Sequence, residues 1–167
     1  MNSTHAHLLL NHFPVIGTLI GTMILLYGLL IKNINIQKVS LATIVVMTLI
    51  AIPVFLTGEP AEEAVENLPG VVESIIESHE EAAEVAFWVM MLTGVFALIT
   101  LGLQIVNNPF SKTFVLIALI SGIVSFGLMG RTAYLGGQIR HTEIRSNSTV
   151  VNNPANETNT SEQGDDD

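Results

Sequence analysis

The sequence predicts an all-α fold, an integral membrane four-helix bundle, and three observations lead there. Charged residues make up only 13% of the 167-residue chain while apolar residues make up 49%, and the charged share is about half that of a soluble domain. The missing charges are absent from four long continuous stretches. Those stretches do not alternate in polarity as the strands of a membrane barrel must, which leaves helices as the spanning elements.

A bilayer core is about 30 Å thick and takes roughly 20 residues of helix to cross. Span one is expected over 13–31, span two over 39–57, span three over 85–106 and span four over 113–130, with its helix continuing past Arg131. In span one, Asn11 is expected to cap the helix, with Pro14 in the first turn, where its missing N–H costs nothing. Segment 32–38 reads as a short polar turn. Pro53 should kink span two, and Gly58-Glu59-Pro60 should end it. The helix of span three is expected to start near Pro69. Asn107-Asn108-Pro109 stops it, and Ser111 is a plausible N-cap for span four. Gly17 and Gly21 in span one, and Gly122, Gly127 and Gly130 in span four, suit close approach of helix backbones.

This gives an N-terminal segment 1–12, a four-span domain 13–141 with an acidic extension at 58–84, and a polar tail 142–167 expected to be disordered. Span one lacks the basic start and nearby cleavage site of a signal peptide and reads as a retained helix. Lys32, Lys38 and Lys112 fall in the turns after spans one and three. Arg140 and Arg145 follow span four on the other side, and the charge-bias rule then puts both termini outside, the periplasmic side if the membrane is a bacterial inner membrane.

Composition also narrows function. There is no cysteine, which excludes disulfides, iron–sulfur clusters, thiolate zinc and covalently attached haem. A bis-histidine b-type haem needs only imidazoles and stays open. The net charge of −9 argues against nucleic acid and anionic lipid. Nine glutamates lie between Glu59 and Glu84, and no acid precedes them; this run reads as a solvated acidic helix rather than a cation site. No P-loop, nucleophile elbow or H-E-x-x-H occurs, so a stand-alone enzyme is not the expectation. No charge lies mid-span to carry an ion or proton path.

The five histidines, His5, His7, His12, His79 and His141, all fall at one membrane face in this topology. His12 sits where the dipole of span one would disfavour imidazolium, and neutral imidazole is the metal-binding form. His79 follows the apolar spacing of Val72, Ile75, Ile76, Ala82, Ala83 and Ala86, so it should point inward, where an imidazole needs a partner. The expected pair, as haem or metal ligands, is His12 and His79, with His7 and His141 as reserves. Arg131 and Tyr134, spaced to share a helix face with Gln138 and His141, could hold haem propionates or a quinone head group. Each has a plainer reading as an interfacial anchor or a hydrogen-bonded core histidine.

The stretch His7-Leu8-Leu9-Leu10-Asn11-His12-Phe13-Pro14 resembles the opening of a family of small, uncharacterised four-span bacterial membrane proteins, with the pattern H-x-x-x-x-H-F-P. A histidine before span three and paired glycines near the end of span four, here His79 and Gly136-Gly137, extend the resemblance over residues 5–141. It implies a four-span fold with a cytochrome b-like layout. The long acidic loop and polar tail depart from it. The leading expectation is a haem b electron-transfer subunit that exchanges electrons with a redox protein or quinone. A non-redox accessory subunit of a larger membrane complex, and a histidine copper or zinc site without haem, are the alternatives.

Overall fold

A computed structural model describes residues 3–141, all but the chain ends. Six helices occur among them: α1 Ser3–Leu10, α2 His12–Leu30, α3 Ile34–Leu56, α4 Gly58–Glu63, α5 Glu73–Ile105 and α6 Ser111–Arg140. No strand occurs among the described residues. Four spans are long and apolar enough to cross a membrane: α1–α2 together, α3, α5 and α6. The fold is an all-α membrane four-helix bundle. The tail, expected to be disordered, lies outside the described residues.

Helix starts differ from expectation in instructive ways. Asn11 does not cap α2: its backbone is helical, its side chain makes no capping bond, and its N–H donates to His7 O at 2.9 Å. The helix therefore runs back through α1, and His12 is not at a free positive helix end. The interruption at Asn11 has a local cause, because Pro14 has no N–H to offer the carbonyl of Leu10. Likewise α3 starts at Ile34, inside the segment expected to be a turn. Asn33 Oδ1 accepts from Asn35 N at 3.0 Å and Ile36 N at 3.2 Å, a capping pair that makes this start. At α6 the side chain that closes the turn is Asn108, whose Oδ1 accepts from Phe110 N; the helix begins at Ser111 without a side-chain cap.

The bundle is a ring in which α2 packs on α3, α3 on α5, α5 on α6 and α6 back on α2. It is also a repeat. The hairpin α2–α3 and the hairpin α5–α6 close through the same turn. Lys32 and Asn107 both take positive φ, and Asn33 N and Asn108 N reach back to Gly28 O and Leu103 O at 2.9 Å, a Schellman ending. Their buried faces match in register. The buried positions of α2 are Pro14, Thr18, Gly21, Thr22, Leu25 and Gly28. Advanced by the 72 residues that separate His7 from His79, they become Ala86, Met90, Thr93, Gly94, Ala97 and Thr100, all buried in α5. Of the six buried residues of α3, Gln37, Ser40, Leu41, Ile44 and Ala51, advanced by the 78 that separate Gly58 from Gly136, become Val115, Ala118, Leu119, Gly122 and Met129, all buried in α6, while Thr48 answers to the partly buried Phe126.

Small residues set the spacing. A Cβ at Gly17 would overlap Met47 Sδ, so the first half of the G-x-x-x-G pair holds α2 against α3. Polar groups in the interior are tied across helices: Ser40 Oγ donates to Gly21 O at 2.6 Å, and Thr93 Oγ1 donates to Ser121 O at 3.2 Å. Trp88, Leu92 and Val95 on α5, and Ile120 and Ile123 on α6, point outward, as lipid contact requires. Helix α5 has 33 residues and is about 50 Å long at 1.5 Å per residue. Its first turns, with His79, stand at or beyond the hydrocarbon boundary.

Candidate functional site

At the end of the bundle where the chain enters α1 and leaves α6 there is a cavity of about 510 Å³. Its walls are apolar below, with Val15, Ala51, Ala86, Phe87 and Met129. They are polar at the mouth, with His7, Asn11, His12, Glu59, Glu62, His79, Glu80, Glu84 and Thr132. Phe55 and Phe87 stack across α3 and α5 with ring centroids 4.2 Å apart.

His7 and His79 enter from opposite hairpins and are held in the same way. His7 Nδ1 lies 3.0 Å from Val54 O, and His79 Nδ1 lies 3.0 Å from Thr132 O. A carbonyl oxygen only accepts, so each Nδ1 carries the proton, and in the neutral ring Nε2 keeps its lone pair. Four residues beyond each carbonyl stands a glycine. A Cβ at Gly58 would lie 3.7 Å from His7 Cε1, and one at Gly136 would lie 2.9 Å from His79 Cε1. His7 has one additional neighbour, Thr57 Oγ1 at 3.4 Å from Nδ1. His79 has another: its Nε2 lies 3.7 Å from Glu62 Oε1.

The short helix α4 packs on α1 and brings Glu62 to the mouth. Burial, and then the carboxylates of Glu80 and Glu59, push Glu62 up to about 7. Near neutral pH a large share of Glu62 is therefore protonated, and a carboxylic O–H can face the unprotonated Nε2 of His79. Asn11 Oδ1 is buried with no hydrogen-bond partner, an unmet acceptor in the cavity wall.

The candidate residues divide. The structure brings His7, His12 and His79 to one cavity. His12 is exposed at the mouth, whereas His7 and His79 are half-buried. Arg131 and Tyr134 are exposed and are not in the lining. The α6 face that meets the cavity carries Met129, Thr132 and Ala133, and Arg131 and Tyr134 project from the other side of that helix. His141 ends α6, exposed and likewise outside the lining. Reading the sequence missed Glu62, Val54, Thr132 and Gly58. A carbonyl that receives an imidazole leaves no trace in the identity of its residue, which hides Val54 and Thr132; Glu62 was one of nine glutamates in a run that reads as solvated.

Among the described residues no group of three or more His, Asp or Glu side chains is arranged to hold a bare metal ion. Comparison with known protein families, curated proteins and solved structures finds no match.

Proposed function

We propose that this membrane protein binds b-type haem in the cavity between its two hairpins, with His7 and His79 as axial ligands, and serves as an electron-transfer subunit. One observation carries the reading. Two imidazoles from different hairpins line one cavity, and each has Nδ1–H fixed by a main-chain carbonyl. That second-shell bond is the usual companion of a metal-bound histidine, because it sets the tautomer and aims Nε2.

The volume falls within the range of cofactor pockets, roughly 300–1,000 Å³, and the inner walls are apolar. Two protein ligands suffice when a porphyrin supplies four nitrogens, whereas a bare zinc or copper site takes three or four from the protein. This favours haem over the copper or zinc alternative. The lining has four glutamates and no Lys or Arg, so propionates would emerge at the mouth into solvent rather than meet Arg131. Haem held by His7 and His79 would supply one-electron exchange there. The chain's part is to fix two imidazoles, keep water from the inner wall and place the site at one face. The partner would be a redox protein on that side or a quinone arriving laterally; Lys32, Lys38 and Lys112 at the opposite end, against Arg140 and Arg145 at this one, are what supports an outside location for this face.

The test is purification from cells supplied with haem, with a pyridine haemochrome assay and oxidised and reduced spectra. A stoichiometric low-spin b-type spectrum is expected. A colourless, folded protein contradicts the reading and favours an accessory subunit of a larger membrane complex.

A further inference from the structure

The corresponding buried positions of the two hairpins have diverged. Thr18 answers to Met90, Leu25 to Ala97, Ser40 to Ala118 and Ile44 to Gly122, and only Leu41 and Leu119 keep one residue type. His7 and His79 are nonetheless both histidine, and Gly58 and Gly136 are both glycine. These two kinds of position touch each other. In each hairpin the imidazole lies beside the backbone one turn past the carbonyl it donates to, but only at Gly136 would a Cβ crowd the ring.

Resting on the haem reading above, we infer that Gly136 is a positioning residue of the His79 imidazole seat. It leaves the ring room against α6 so that its Nδ1–H meets Thr132 O. The two seats are unequally tight. An added Cβ at Gly136 would stand 2.9 Å from Cε1 and 3.2 Å from Nδ1 of His79, too close without displacing the ring. At Gly58 the nearest atom of His7 would be at 3.7 Å, an ordinary contact. Alanine at 136 must therefore push the His79 ring aside and strain its bond to Thr132 O, and alanine at 58 is accommodated.

The test uses the full-length protein in detergent, first without haem. Gly136→Ala should lower the melting temperature by about 4 °C, the scale of a kilocalorie-sized strain in a chain of this length. In a His79→Ala background the same change should cost almost nothing, because the ring it strikes is gone. Gly130→Ala, with open space around it, is the control on the same helix. With haem titrated in, Gly136→Ala should weaken binding about tenfold, as loss of a bond behind a metal-bound histidine does, and should shift the low-spin resonance signal. A Gly136→Ala penalty that is equal with and without His79 overturns the seat, and so does unaltered haem binding in Gly136→Ala. If Gly136→Ala alone does not fold, recovery of folding in the double variant supports the seat and its failure overturns it. Failure of the wild type to take up haem removes the proposed function, while the haem-free comparison still decides the seat.

Discussion

The two ends of the bundle are made by the same pair of hairpins and are finished in opposite ways. At the lysine end the interior is closed. Gln104 Nε2 donates to Gln37 Oε1 at 2.8 Å, and Gln37 Nε2 donates to Gly28 O at 3.1 Å. Around this amide chain Leu25, Leu41, Ile44, Ala97 and Val115 pack without exposure worth noting. At the histidine end the helices leave a cavity, and the polar groups are tied to backbone carbonyls of neighbouring helices rather than to each other. Even at the lysine end the pairing is incomplete, since Gln104 Oε1 is buried without a partner. An end that keeps a cavity beneath two half-buried imidazoles has given up packing there, which is the usual mark of a binding site.

The contrast can be broken most sharply at the histidines. His79→Ala or His7→Ala should abolish the low-spin haem spectrum, and His12→Ala, at the exposed mouth, should keep it with a smaller change in affinity. Titration of haem into each variant checks the order. At the other end, Gln37→Leu leaves the amide of Gln104, only 2% exposed, without its partner. It should cost about 1–2 kcal/mol in stability and leave the haem spectrum as it was, read by detergent melting and optical spectra of the same samples.

A subtler difference is proton linkage. Glu62 ionises near 4.5 when exposed and near 7 in the fold, so between those values the folded protein holds a proton that the unfolded chain has lost. Stability contributed by Glu62 should therefore fall as pH rises from about 4.5 to 7 and level off above. Melting curves across that window should slope downward in wild type and be flatter in Glu62→Gln. The smallest effect is expected at Arg131→Ala and Tyr134→Phe, which should change haem affinity by less than about twofold, because both side chains project away from the cavity.

Much of this architecture is written plainly in the chain. Continuous apolar runs set the spans, Gly17 and Gly21 set a packing face, and the inward spacing of His79 with Ile75, Ile76 and Ala82 holds in the fold. The capping of α2 was misread because Asn11 and Pro14 form a good start signal on their own. The preceding Ser3–Leu10 turns, apolar enough to extend the helix, override it. Choosing His12 as the partner of His79 followed from that start. The repeat was illegible because equivalent buried positions keep burial but neither residue type nor size: Thr18 answers to Met90 and Leu25 to Ala97. Arg131 and Tyr134 share a helix face as their spacing requires, but spacing alone does not say whether that face turns inward.

The central claim is that the cavity between His7 and His79 is a haem site, and the most direct measurement is the reduced-minus-oxidised spectrum of the purified full-length protein beside His79→Ala. Sharp α and Soret bands at one haem per chain in the wild type, absent from a folded His79→Ala, are the predicted result. A wild type that stays colourless after haem is supplied, or a His79→Ala variant that keeps the wild-type bands, would contradict it.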